Sequence, residues 1–173
     1  MESGKNLNES NDKLNDIINQ KNKVNELTKN GNYVDAEKGY KDIIEIINNL
    51  NKEEINDEIL NQKKLILSNL SLVLTKQKKI KEAKKLDIEI IRQLDKKFAK
   101  SYARLINAYL DENNISCARY HYNLMNDNCS KEDINKFPEV IKRIDSEIKE
   151  KDSFVQSMQA MKELFKNFQH SSK

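Results

Sequence analysis

The sequence predicts an all-α protein, and three observations carry that expectation. Glycine occurs three times and proline once in 173 residues, too little turn chemistry for many short strands. From Leu14 onward the apolar residues recur at helical rather than alternating spacing. The chain is also self-similar on a scale of tens of residues, the mark of stacked helical hairpins.

Composition narrows the function classes. Only 37% of the residues are hydrophobic and 34% are charged, against about a quarter charged in an average chain. The apolar residues must therefore be gathered onto buried stripes. Lys and Arg number 31 and Asp and Glu 28, a net charge of +3, and so even a balance gives no case for bulk nucleic-acid or membrane binding. Asn, Lys and Ile are so abundant that any one of them says little, whereas arginine occurs only at Arg92, Arg104, Arg119 and Arg143. Cys117 and Cys129, with His121 and His170 as the only histidines, lack the spacing of a structural zinc site and read as reduced thiols. No cofactor or metal is expected. The opening MESGKNLNES contains no apolar signal run, and no stretch approaches the length of a membrane span. The expectation is a cytoplasmic, soluble protein.

Along the chain, residues 1–11 are polar and expected to be disordered. The following segments GNYVDAEKGYKDI, KKIKEAKKLDIEI and NNISCARYHYNLM align on Ala36, Ala83 and Ala118. A larger apolar residue stands three before each alanine: Tyr33, Ile80 and Ile115. A small residue suits the close crossing of two helices, and the larger one fills the turn between them. Tyr40 and Tyr122 follow their alanines by four, while Asp87 departs from that aromatic pattern. In the preceding helices Leu67, Leu70 and Leu74 share the spacing of Tyr102, Leu105 and Tyr109, one helical face. SKED, residues 130–133, offers a capping box with Ser130 as the cap, and Pro138 suits the first turn of a further helix. From there Ile141, Ile144, Ile148, Val155, Met158, Leu164, Phe165 and Phe168 keep a helical stripe, with Met158 and Met161 read as packing residues. Seven helices follow: three antiparallel pairs and a long last one.

These segments resemble the tetratricopeptide repeat. Ala83 and Ala118 are 35 residues apart, close to the repeat's typical length of about 34. Ala36 and Ala83 are 47 apart, an excess of about 13 over the repeat length, and the polar stretch NNLNKEEINDEILNQ is expected to lengthen the adjoining helices and remain largely exposed, like the extended helices of immunophilin-type co-chaperones. The resemblance implies three helix-turn-helix repeats over 12–128 in a right-handed superhelix, a capping helix over 129–169 and a disordered tail over 170–173.

One subset of this family binds the acidic C-terminal Glu-Glu-Val-Asp of heat-shock chaperones through a two-carboxylate clamp. Its pattern has Lys and Asn four apart on the first helix, Asn on the third, and Lys and Arg four apart on the fifth. Anchored on the three alanines, those slots hold Lys21, Asn25, Asn69, Lys100 and Arg104. Asn69 precedes Ala83 by 14 residues and Arg104 precedes Ala118 by the same 14. Side chains four apart leave a helix on one face, and two desolvated carboxylates need several such donors. The resemblance implies that Lys21, Asn25 and Asn69 hold the terminal carboxylate, that Lys100 meets the Asp side chain and that Arg104 meets peptide oxygens just upstream. Val24 departs from the small residue common before the first Asn. Both Lys21 and Arg104 are expected to be solvent-accessible, with little role in stability.

The expected protein is therefore a non-enzymatic adapter whose partner is a 90-kDa or 70-kDa heat-shock chaperone. The alternative is a tetratricopeptide scaffold or organelle receptor that reads an internal segment of its partner. An enzyme finds no support: His121 lacks a carboxylate or cysteine at catalytic spacing and reads as a partly buried core residue.

Overall fold

Eight α-helices account for the regular structure among the described residues, with no strand. The computed structural model describes the backbone of residues 3–171 and the side chains of residues 11–163. In chain order the helices are α1 Ser3–Lys29, α2 Tyr33–Asn48, α3 Asp57–Lys76, α4 Ile80–Glu89, α5 Ala99–Asp111, α6 Ile115–Asn128, α7 Lys131–Ile134 and α8 Pro138–Ser171. A single wide π turn, Ile90–Leu94, continues α4. The chain forms two compact units, Met1–Arg104 and Leu105–Lys173, which divide within α5.

The alanine register is matched by the turns that precede it. Gly31, Lys78 and Asn113 each stand five residues before their alanine, and each has a left-handed backbone, with φ of 76°, 62° and 55°. The amide after each reaches back over the turn: Asn32 N to Leu27 O at 2.9 Å, Lys79 N to Leu74 O at 2.8 Å and Asn114 N to Tyr109 O at 2.8 Å. Such a bond closes a helix C-terminus, and glycine takes the left-handed position with least strain. Asn32 and Asn114 then cap the next helix, their side chains accepting from Asp35 N and Cys117 N. Ala36, Ala83 and Ala118 are all buried.

In the first unit α2 packs on α1 and α3, and α4 on α3. Their shared core includes Ile17, Tyr40, Ile43, Ile66, Leu70 and Leu74. Val24, the bulky departure noted in the sequence, is buried at the α1–α2 crossing, and Gly39 makes room for it. A Cβ at Gly39 would lie 2.6 Å from Val24 Cγ2. Glu37 fastens α2 to the turn between α3 and α4. Its carboxylate, 11% exposed, accepts from Lys41 Nζ at 2.6 Å and Lys79 Nζ at 2.6 Å, and Gln77 Nε2 donates to it at 2.9 Å. The bonds from Lys41 and then Lys79 lower its pKa from 4.5 to about 2, against the opposing effect of burial.

Several expectations need correction. Helix α1 begins at Ser3 and so takes in residues 3–11, whose polar sequence lacks a helix stop after Gly4. The helical backbone likewise continues through Ser171, and the rest of the expected tail lies outside the described residues. The polar excess after Asn48 only partly extends a helix. Residues 49–56 form a loop of turns, because Asn56 caps α3 through a bond from Ile59 N at 2.9 Å; most of the segment is exposed, with Ile59 and Gln62 buried. Ser130 does cap a helix, accepting from Asp133 N at 3.1 Å, but α7 is a single turn, and α8 starts separately at Pro138. The helix count rises by one for this reason.

In the second unit α8 buries Val140 and Ile144, whereas residues 149–163 are exposed throughout. Met158 and Met161 are therefore surface residues and not packing residues; Phe165 and Phe168 lie outside the described side chains. His121 is buried, stacked on Tyr109 with ring centroids 5.1 Å apart, and its Nδ1 lies 2.9 Å from Cys117 O. No helix among the described residues is long and apolar enough to cross a membrane.

Two predictions follow from this packing. Gly39→Ala gains about 1 kcal/mol of helix propensity but overpacks a stiff β-branched neighbour at a cost of about 1–3 kcal/mol, so urea unfolding should show a net loss. In a Val24→Ala background the same change should become stabilising; a loss of equal size in both backgrounds would mean that Val24 is not the obstruction. For Glu37, a folded pKa near 2 lies below the ordinary 4.5. Its stabilising contribution is therefore present above about pH 4.5 and is lost as pH falls toward 2. Glu37→Gln should lower stability at neutral pH and flatten the decline across that acid window; an unchanged decline would place its origin elsewhere.

Candidate functional site

The five residues singled out in the sequence all belong to the first unit, Lys21 and Asn25 on α1, Asn69 on α3, and Lys100 and Arg104 on α5. Three hydrogen bonds join these helices at or beside them. Lys21 Nζ donates to Gln62 Oε1 at 2.6 Å, Asn69 Nδ2 donates to Asn25 Oδ1 at 2.9 Å, and Arg104 Nη2 donates to Ser68 Oγ at 3.1 Å. Gln62 and Asn69 are seven apart, two helical turns, and so lie on one face of α3.

The amide of Asn25 is oriented by its neighbours. Its Oδ1 accepts from Asn69 and also from the Tyr40 hydroxyl at 2.7 Å. Tyr40 is in the core, and burial, the largest cause, raises its phenol above the ordinary value of 10.0, so it remains a donor at neutral pH. With Oδ1 occupied twice, the two N–H donors of Asn25 are left to point away from these partners. Lys21 is half-buried, and the amide it bonds is itself anchored, since Gln62 Nε2 donates to Glu58 Oε1 at 3.0 Å. A lysine that donates one bond to an amide has further N–H donors for an anion.

Lys100 and Arg104 differ sharply. Lys100 is exposed, and its pKa is lowered from 10.5, first by the water that neighbouring groups displace and then by the Arg104 charge, with Asp87 acting in the opposite sense. Arg104 is not the accessible donor that the sequence led us to expect. Its side chain is only 15% exposed and is held by Asp87, 2% exposed. Arg104 Nε lies 2.9 Å from Asp87 Oδ2 and 3.1 Å from Oδ1, and Nη2 donates to Oδ1. The other face of the carboxylate is held by Ser71 Oγ at 2.7 Å. Arg104 Nη1 is buried with no acceptor among the described residues.

Four contributors escaped the sequence reading. Gln62 sits in the polar excess that was expected to lengthen the adjoining helices, Ser68 and Ser71 are commonplace residues, and the Tyr40 hydroxyl was hidden behind the ring's role in packing. Asp87 did leave a signal, as the one departure from the aromatic pattern. Among the described residues no group of three or more His, Cys, Asp or Glu side chains could hold a metal ion. The arrangement offers donors and positive charge. Comparison with models of known protein families and with curated proteins finds no match for this sequence.

The buried pair makes a prediction about stability. Arg104→Ala leaves Asp87 without its countercharge, and breaking a buried pair from one side costs about 3–5 kcal/mol. Partial exposure of Arg104 moves the expectation to the lower end of that range. Urea unfolding should register a loss of about 3 kcal/mol at neutral pH; a change below about 0.5 kcal/mol, the size of an ordinary surface substitution, would mean that the pair does not hold α5 to α4.

Proposed function

We propose that this chain is a tetratricopeptide-repeat adapter of the carboxylate-clamp type, binding the acidic C-terminal peptide of a heat-shock chaperone and performing no catalysis. The observation that carries this reading is the bonded set Lys21–Gln62 and Asn25–Asn69, which spans α1 and α3 and holds the N–H-bearing side chains of Lys21 and Asn25 in place. A terminal carboxylate is an acceptor on every side, so a pocket for it needs N–H groups that internal carbonyls have not consumed. The same asymmetry would repel a cation and gain nothing from an apolar side chain.

Lys100 supports the reading from the other end of the site. Its charged form is disfavoured by lost water and by Arg104, and an approaching carboxylate would favour it electrostatically. The i, i+4 placement of Lys100 and Arg104 keeps them on one face of α5, where one would address a side-chain carboxylate and the other a backbone oxygen. In this reading the turn register at Gly31, Lys78 and Asn113 supports three equivalent helical hairpins.

The deciding measurement is calorimetric binding of a free and a C-terminally amidated Glu-Glu-Val-Asp peptide. Amidation removes a charged acceptor, and hydrogen bonds to charged groups contribute about 1.5–3 kcal/mol, so affinity should fall about tenfold or more. In Lys21→Ala the same amidation should matter much less, because both changes remove one contact. Equal losses in the two backgrounds would take Lys21 away from the terminal carboxylate. Native binding indifferent to amidation would favour a scaffold that reads an internal segment.

A further inference from the structure

Tyr40 has a ring that packing explains and a hydroxyl that packing does not. The ring lies in the core one turn after Ala36, where phenylalanine would fill the same space. The hydroxyl reaches α1, 2.7 Å from Asn25 Oδ1 and 3.2 Å from Thr28 Oγ1. A carbonyl oxygen has no hydrogen to offer, so the phenol donates to Asn25 and is left to accept from Thr28. Asn25 Oδ1 takes a second bond from Asn69 Nδ2 at 2.9 Å. Turning the Asn25 amide over would set N–H against N–H at Asn69 and would deprive the phenol of its acceptor. The Asn25 N–H groups have no partner among the described residues and, unlike Arg104 Nη1, are not sealed from solvent. They are open to a ligand, one turn from Lys21 on the same face of α1.

We propose that Tyr40 is a positioning residue of the peptide site: its hydroxyl holds the Asn25 carbonyl inward, so that the Asn25 N–H groups face the ligand's terminal carboxylate. The inference rests on the carboxylate-clamp reading of the site. Tyr40 is itself buried and acts only through Asn25. A primary amide can present either donors or an acceptor, and only its donor side suits an anion. An Asn25 side chain free to turn would offer the repelling oxygen part of the time and would lose that freedom on binding. The bond from Thr28 polarises the phenol and so strengthens the donor that Tyr40 gives to Asn25.

Tyr40→Phe keeps the ring and removes the hydroxyl alone. By calorimetry it should bind free Glu-Glu-Val-Asp about fivefold more weakly, while binding of the amidated peptide changes by less than about twofold. Damage to packing alone would weaken both peptides alike. In an Asn25→Ala background Tyr40→Phe should cost nothing further, because both changes act through one amide. If the native chain binds free and amidated peptides equally, the clamp reading itself fails. If the native chain distinguishes them, the clamp stands, and the role of Tyr40 is overturned by either of two results: an unchanged free-peptide affinity in Tyr40→Phe, or an equal loss in the Asn25→Ala background. Nitrogen relaxation of the native chain without peptide gives a check that needs no variant. The Asn25 side-chain amide should relax as a rigid group, with an order parameter near the value of about 0.85 typical of rigid backbone, and a value below about 0.6 would overturn the inference.

Discussion

A carboxylate withdrawn from water has to be met by donors inside the fold, and that constraint organises the first unit. Glu37 on α2 and Asp87 on α4 are both largely buried, and each is met by groups from elsewhere in the chain. Glu37 gathers Lys79 and Gln77 from the turn between α3 and α4; Asp87 gathers Ser71 from α3 and Arg104 from α5. Each second helix of a hairpin is thus bonded to the segment that follows it. Apolar contact alone is non-directional and would tolerate helices sliding or rotating against one another. A buried pair adds little net stability relative to a well-packed apolar substitute, yet is costly to break, so it discriminates strongly against any arrangement that separates its members.

The helical hairpins were legible because their signals are local. An alanine at a crossing, a larger residue three before it and an asparagine cap at the same offset all act within one or two turns. Lys78 shows how far the geometry outruns the residue type: nothing about a lysine announces a left-handed backbone, but its place five residues before Ala83 does. The loop over 49–56 was misread for a related reason. Its residues are acceptable helix formers, and the cue that stops the helix is positional, an asparagine before Asp57 and Glu58 that suits an N-cap and an acidic first turn. Val24 looked like a departure from pattern until Gly39, fifteen residues away, supplied the missing volume.

The candidate site divides along the same line. Residue types and i, i+4 spacings within α1 and α5 can be read along a helix, so Lys21, Asn25, Lys100 and Arg104 could be selected as a set. What each side chain bonds to depends on other helices, and here sequence reasoning lost its grip: Gln62 under Lys21, Tyr40 behind Asn25 and Asp87 against Arg104 all lie 15 or more residues away. Arginine was informative for being rare, but rarity carries no statement about exposure. The same side chain that suggested a ligand contact turned out to hold α5 to α4.

Under the proposed clamp, these internal restraints would have an energetic consequence. Long side chains lose much conformational freedom when they grip a ligand, about 0.5–1.5 kcal/mol for each one immobilised, and a site of freely rotating lysines and arginines would meet that loss in full at binding. Here Asn25, Lys21 and Arg104 are already restrained by internal partners, so the ordering is done when the chain folds. Lys100 is the exception, and its state fits the opposite strategy. Since its folded pKa lies below 10.5, its charge is disfavoured by folding at neutral pH, and the penalty is relieved only as pH rises through the interval between the folded and unfolded values. In the proposed clamp, preorganised donors would lower the entropic cost of binding a carboxylate, and Lys100 would add positive charge beside them.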